Sequence, residues 1–332
     1  MKKILTKRKK KTPFDYQASE NYVLPSDAKS DINNSYYFSA HNEECSFFCR
    51  LGLRISHKEL WFFYSDKSVR LAFDDLCFNG DSPLETHKTA NGWAVNFNGK
   101  ATDNNGKDVS VEFSADFTAI EEPIDFFSSM ATVRTAIAMA GEKWNKKFFG
   151  EVQKNNQVHY EEFGYLQGKI KIDGVEKQVN VPCVRDHSFG MRDWDYMNNH
   201  LWLMAVNEKS QLNFSMVSYP AMSILEVGNF KAKDKKMAFV ISAEYDRSSI
   251  SKGYAPEELS VKLKLDDKSV LNVKAVKKDQ VVYDFQNGDY RLIEGTAEFE
   301  INGERYHGIL EVGINKDKTR VFNGKPIKKL KV

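Results

Sequence analysis

Ten consecutive residues, Arg185-Asp186-His187-Ser188-Phe189-Gly190-Met191-Arg192-Asp193-Trp194, gather two arginines, two aspartates, an imidazole and a hydroxyl around aromatic and sulfur-bearing side chains. A solvated loop rarely mixes both charge signs with aromatic rings so densely. Polar groups in partly apolar surroundings must pair or shift their pKa. An imidazole or carboxyl so placed can give or take a proton near neutrality. If 184–189 is extended, Arg185, His187 and Phe189 share one face while Asp186 and Ser188 share the other, and Gly190 lets the chain turn. Two readings follow. In one, Arg185, Asp186, Arg192 and Asp193 form a buried ion-pair knot and His187 merely donates to a carbonyl. In the other, His187 or a desolvated Asp186 faces a cavity as proton donor or acceptor. The arginines are structural in both, since a guanidinium is no ordinary acid.

Further polar groups flank the motif. His159, Tyr160, Glu161 and Glu162 precede a hairpin, and Tyr196, His200 and Trp202 follow the motif. Phe189, Trp194, Tyr160, Trp202 and Tyr196 are therefore the candidate substrate-contacting residues, with His187 and Asp186 the candidate catalytic pair. A metal at His187, His159 and His200 would require three separated segments to converge, and no metal site is expected. Nor is a cofactor site: P-loop, dinucleotide-binding glycine fingerprint, HExxH, paired CxxC and GxSxG are all missing from the sequence.

The elements that must position these residues are strands. SYYFSA, CSFFCRLGLRI, LWFFYSD, VRLAFDDLCF, GWAVNFNG and VSVEFSADFTA follow one another at short spacing, separated by turn signals such as Asn104-Asn105-Gly106. A second series begins at 158 with a hairpin turning at Asp173-Gly174, and runs through 314. Segments such as VKLKL and TAEFEI alternate with period two, so one face is wet and the other buried. Two antiparallel meanders, each a barrel or sandwich, are expected. Between them, Pro123 opens a stretch in which Phe127, Met130, Ile137, Ala140, Trp144 and Phe148 recur at helical steps or multiples of them, so one amphipathic helix over about 123–149 is expected. The chain thus divides into a disordered basic tail and linker (1–33), a first β-unit (34–122), a connecting helical segment (123–157) and a second β-unit (158–332), with the 158–184 hairpin able to pack on the first.

Composition narrows the function. Residues 2–11 carry seven Lys or Arg, whereas the other 41 basic residues face 46 acidic ones. A net-acidic body argues against a nucleic-acid surface. No window approaches a membrane-spanning apolar run, and no secretory signal is read in MKKILTKRKKK, so a cytoplasmic protein with its four cysteines reduced is expected. The basic start is read as a solvated terminus. Aromatic content of 13% suits an apolar cavity as well as a β-core.

The span 158–202, HYEEFGYLQGKIKIDG followed by RDHSFGMRDW, resembles the Tyr-Glu…hairpin…Arg-Asp-His-Ser-Trp-Gly-x-Arg-Asp-Trp pattern of the double-lipocalin family that includes carotenoid hydratases and kievitone hydratase. The resemblance implies two consecutive lipocalin- or calycin-like barrels or half-barrels, an apolar pocket and water addition to a C=C bond without a cofactor. It assigns the motif histidine, His187, and the ring two residues later, Phe189, to that chemistry. Phe189 stands where the family has Trp. The family's acid on a following strand has no counterpart in LNFSMVSYP, which offers Phe214, Ser215 and Met216, leaving Asp186, Asp193, Asp195 or Glu226 as substitutes. A cofactor-independent hydratase, dehydratase or isomerase acting on an isoprenoid-, lipid- or polyketide-like molecule is the leading expectation. A non-catalytic binder of a hydrophobic small molecule is the alternative.

Overall fold

The computed structural model describes residues 15–27, 32–120, 122–125, 132–146, 148–150, 157–192, 194–220, 222–250, 254–285, 289–317, 321–322 and 325–326. The basic stretch 2–11 and Asp193 lie outside them. Short helix α1 (Tyr16–Glu20) precedes β1 (Ile32–His41), β2 (Cys45–Leu53), β3 (Lys58–Asp66), β4 (Arg70–Phe78), β5 (Leu84–Lys88), β6 (Trp93–Asp103), β7 (Asp108–Ala119) and the two-residue β8 (Ile124–Asp125). Helix α2 (Thr132–Ala140) leads to β9 (Gln157–Ile172) and β10 (Val175–Met191), and a 3-10 turn at Trp194–Tyr196 leads to the rest. These are β11 (Asn199–Val206), β12 (Ser210–Tyr219), β13 (Met222–Ala232), β14 (Ala238–Tyr245), β15 (Glu258–Leu265), β16 (Val270–Phe285), β17 (Tyr290–Ile301) and β18 (Glu304–Asn315).

The strands make two antiparallel units. In the first, pairing runs β10–β1–β2–β3–β4–β6–β7–β9, and β9 pairs in turn with β10, so the sheet returns on itself. In the second, β11 to β18 pair in chain order and β18 pairs with β11, closing an eight-stranded barrel. Closure satisfies the edge backbone groups that an open sheet would expose. Turns follow their residues: Asp173-Gly174 and Asn302-Gly303 have positive φ at both central positions (46° and 89°, 52° and 88°), the primed turn that matches strand twist.

Each unit fills its own interior. Val109, Val111, Phe113, Ala115 and Phe117 alternate inward on β7, and Leu259, Val261, Leu263 and Leu265 do so on β15. Runs such as LWFFY are continuous for another reason. Leu60, Phe62 and Tyr64 point into the first unit, while Trp61 and Phe63 point out of it into a third apolar cluster between the units. A bulge in β16 supplies the other side of that seam. Register against β17 slips by one between Lys277 and Asp279. Before it, Leu271, Val273 and Ala275 face the barrel interior; after it, Tyr283 and Phe285 face the seam. Tyr283 stacks on Trp61 at 4.5 Å and Phe285 on Trp194 at 4.5 Å. Each such aromatic burial contributes about 1.5–3 kcal/mol.

Three expectations are corrected here. The 157–191 hairpin packs with the first unit, the arrangement left open for 158–184, because β10 pairs with β1 from Cys183 to Met191, so the second unit starts at Asn199 and not at 158. The connecting helix is shorter than the periodicity predicts. Ile124–Asp125 instead pairs with Tyr160 and Glu161, α2 covers Thr132–Ala140, and Gly141 follows its end. Phe127 and Met130 lie outside the described residues. Ile137 and Trp144 are largely exposed, whereas Ala138 and Met139 pack on Leu225 and Val227 of β13. Finally, the linker holds structure: Asp15 caps α1 through Ala18, and α1 ends on a buried Glu20.

Barrel closure yields one prediction. A Cβ on Gly308 would lie 1.7 Å from the Met204 carbonyl oxygen of β11. Gly308→Ala is expected to cost about 1–3 kcal/mol in urea unfolding, as overpacking does. Gly150→Ala, where a Cβ meets open space, is expected to leave the midpoint nearly unchanged.

Candidate functional site

The two faces of β10 carry two different networks. Arg185, His187 and Phe189 point into the first unit. There Arg185, fully buried, pairs with Glu20 at 2.9 Å and with Glu162, and lies over the Trp93 ring at 4.0 Å. Tyr160 donates to Glu20, and its hydroxyl is 2.6 Å from His187 Nδ1. His187 Nε2 lies 2.8 Å from Asn34 Oδ1, and its ring stacks on Tyr36 at 4.4 Å. Burial, reinforced by the Arg185 charge, pulls the His187 pKa down to about 2. The imidazole is therefore neutral and fully buried, and it does not line the cavity described below. Phe189 stacks on Tyr22 at 3.9 Å, and Phe189 and Tyr160 likewise stay away from that cavity.

The opposite face of β10 presents Asp186 and Ser188 to the seam between the units. A cavity of about 190 Å³ lies there, lined by Asp186, Trp194 and Trp202 among the expected residues. Tyr196 does not line it, but its ring lies 5.6 Å from Tyr219, which does. The sheet pleat explains the set. On the neighbouring strand His159 and Glu161 share the parity of Ser188 and Asp186, their ladder partners. On β11 His200 and Trp202 face the seam while Leu203 fills the barrel, and Leu201 packs in the barrel core but also borders the cavity.

Two imidazole–carboxylate pairs face this cavity. His159 Nε2 pairs with Asp186, and Glu161 accepts from Asn213, which in turn accepts from the Trp202 indole N–H at 2.8 Å. Burial works against a charged His159, but the Asp186 and Glu161 carboxylates outweigh it and raise its pKa. Burial lifts Glu161 to about 7. Across the cavity, His200 Nε2 lies 2.5 Å from Glu311 and its Nδ1 lies 2.5 Å from the Tyr290 hydroxyl. Burial lowers His200 to about 4 and raises Glu311. Glu294, fully buried opposite Glu311 in the ladder, accepts from Tyr37 at 2.8 Å, and burial and Glu311 push its pKa well above the carboxylate range. The seam thus gathers carboxyls whose pKa is raised by burial beside imidazoles shifted in opposite directions, the mixture that proton transfer requires.

His159, Glu161 and Asp186 also bring one nitrogen and two oxygens within 4.8 Å of one another, a donor set that could hold a divalent cation. Arg50 and Arg54 share Glu59 at 2.7 and 2.9 Å. Arg192 was expected in an ion-pair knot, yet among the described residues no carboxylate pairs with it. Its Nη2 bonds the neutral Ser188 Oγ at 3.0 Å instead. The knot formed around Arg185, because that residue and Glu162 share the inner face, whereas Arg192 follows the end of β10 at Met191.

Sequence reasoning missed Glu294, Glu311, Tyr37 and Asn213. Two of them carried a signal. Glu294 in RLIEGTA and Glu311 in GILEVGI are lone carboxyls inside apolar strand runs, and a charged type at such a position marks a buried, paired or protonated group.

These assignments predict a proton titration. Followed by NMR, His159 is expected to titrate above the ordinary imidazole range and His187 to stay neutral throughout mild acid. Because the folded-state His159 pKa is raised, its contribution to stability is full below about pH 6.5 and fades as pH rises through the folded value.

A closed barrel and a self-returning sheet, packed about an apolar seam lined with acid–base groups, define a lipocalin-like double-barrel protein. The chain belongs to the family described as domain of unknown function DUF7064, which matches residues 17–316. No curated protein is significantly similar to it in sequence. Solved structures share the fold. A protein of Nitrosomonas europaea designated AttH superposes with TM-score 0.55 at 12% identity, covering 89% of this chain and 96% of that one. Kievitone hydratase from Nectria haematococca gives 0.54 at 12% identity, covering 92% and 94%. CghA in complex with Sch210972 gives 0.50 at 8% identity, covering 86% and 89%. No described helix is long and apolar enough to cross a membrane.

Proposed function

We propose that this protein is an acid–base enzyme of the hydratase, dehydratase or isomerase kind, acting on a largely apolar molecule in the seam cavity. The observation that carries this reading is the pair of imidazole–carboxylate couples, His159–Asp186 and His200–Glu311, on the walls of one apolar pocket. A proton passes from His159, held charged by Asp186, to one carbon of a C=C bond. The Trp194 and Trp202 rings lie against the electron-poor carbon that results. Water then adds there and loses its proton to the Glu311–His200 couple, or the same couple removes a proton from the neighbouring carbon and the double bond moves. The chain's own side chains supply both donor and acceptor, so the step needs no cofactor. Kinship of fold with a kievitone hydratase supports the kind of reaction, and the free cysteines, three of them buried, support a reducing, cytoplasmic setting.

The test does not require a known substrate. The protein is incubated with an apolar metabolite extract in ²H₂O or H₂¹⁸O, and new label is sought by mass spectrometry. A compound that gains solvent deuterium or ¹⁸O only with active protein is expected. One observation favours a second reading as a plain hydrophobic-ligand carrier: Asp186 and Glu161 are already satisfied by His159 and Asn213. A co-purified ligand that stays unlabelled would select it.

A further inference from the structure

One wall of the seam cavity offers only hydrogen-bond donors. Trp61 and Trp194 line it with 2% and 5% of their surface exposed, and neither indole N–H has an acceptor among the described residues. An indole N–H can only donate, and so can a guanidinium. Arg50 lies over both rings, its Cζ 4.9 Å from the Trp61 centroid and 5.7 Å from that of Trp194. Its Nη1 is taken by Glu59 and its Nη2 by Asn33, but its buried Nε has no acceptor among the described residues. Arg192 covers Trp194 from 5.0 Å, and among the described residues its Nη2 reaches only neutral oxygens, Ser188 Oγ at 3.0 Å and Gln157 Oε1 at 3.5 Å.

The carboxyls nearby have other partners, Glu311 of the same cavity being held by His200 at 2.5 Å. Glu59 serves both Arg50 and Arg54, and Asp186 pairs with His159. Arg54 Nη1 also holds the Arg192 carbonyl at 2.9 Å, which fixes where the side chain starts. A desolvated guanidinium with two unanswered indole donors beside it is a costly arrangement for an apo protein. It becomes favourable when a ligand brings acceptors and a negative charge. The cavity lining also includes the apolar Leu201, Val217 and Leu292.

We propose that Arg192, Trp194, Trp61 and Arg50 form an anion subsite, so that the cavity takes an amphipathic acid whose carboxylate lies on this wall and whose apolar body faces Leu201 and Val217. This deepens the reading of the seam as the ligand site but does not depend on turnover. It specifies where a substrate is gripped, and it orients the apolar body between the two imidazole–carboxylate couples.

Decanoate and decan-1-ol, which share a chain and differ in the head group, test it by calorimetry on the full-length protein. Decanoate is expected to bind at least about tenfold more tightly than decanol, the size of one good polar contact. Arg192→Gln is expected to erase that preference while leaving decanol affinity unchanged, Arg192→Lys to restore part of it, and Trp194→Phe to weaken decanoate alone. The ligand-free Arg192→Met protein is expected to unfold at a temperature no lower than wild type, since an unanswered charge has been removed. Equal affinity for the two probes, binding of neither, or a preference that survives Arg192→Gln would overturn the subsite. Solvent labelling without this preference would leave the enzyme reading standing while removing the anion subsite, and the reverse pattern would do the opposite.

Discussion

Arg185→Ala is expected to lower the unfolding free energy by about 3–5 kcal/mol, the cost of stripping one partner from a buried ion-pair network. The guanidinium is wholly buried between Glu20 and Glu162 and lies over the Trp93 ring. Without it two carboxylates remain in an interior that cannot solvate them. Tyr160 and the Trp93 indole N–H, which donates to Glu20 at 3.1 Å, answer only part of that charge. Loss should also release α1, since Glu20 is its last residue and Tyr16 donates to Glu162 at 2.8 Å. Urea unfolding checks the magnitude, and proteolysis near residues 15–27 checks the release. Lys169→Ala, which removes an exposed pair with Glu176, is the control and should cost about 0–1 kcal/mol. A similar small loss for Arg185→Ala would mean that the inner network does not hold the first unit together.

The second large effect concerns chemistry. His200→Gln is expected to lower kcat on the labelled compound by about 10²–10⁴-fold, the usual contribution of a positioned acid or base. Glutamine keeps much of the volume and can still bond Tyr290 or Glu311, so ligand binding should change far less than kcat. His159→Gln should behave likewise and should also flatten the alkaline side of the pH profile. With wild-type protein, activity falls as pH rises through the raised His159 pKa, because the donor is then lost. His187→Gln is the contrast: its effect on kcat should stay small in protein that remains folded. Full turnover in both His200→Gln and His159→Gln would contradict the mechanism.

Much of the architecture was legible because β-structure writes itself with period two. The turn pairs Asp173-Gly174 and Asn302-Gly303, the alternation in β7 and β15, and the runs buried on both faces all carry their geometry in their spacing. The parity argument on 184–189 was also sound: Arg185, His187 and Phe189 do share a face, and Asp186 and Ser188 the other. What the sequence left open was which face met the cavity. That depends on the seam, and the seam is built by distant segments. β10 takes β1 as its neighbour across about 150 residues of chain, a pairing that local propensity does not encode. The β16 bulge, which turns Tyr283 and Phe285 toward Trp61 and Trp194, is a one-residue slip with no turn residue to announce it. The helix does not begin at Pro123 because Ile124 and Asp125 gain a strand partner in β9, a tertiary gain that the local helix-start signal does not encode.

Where a ligand sits decides between the seam and the two unit interiors. A crystal structure of the protein grown with decanoate measures this directly. The prediction is electron density in the seam, with the head group against Arg192 and Trp194 and the chain running toward Trp202 and His200. Density beside His187 inside the first unit, or within the β11–β18 barrel with the seam left empty, would contradict it.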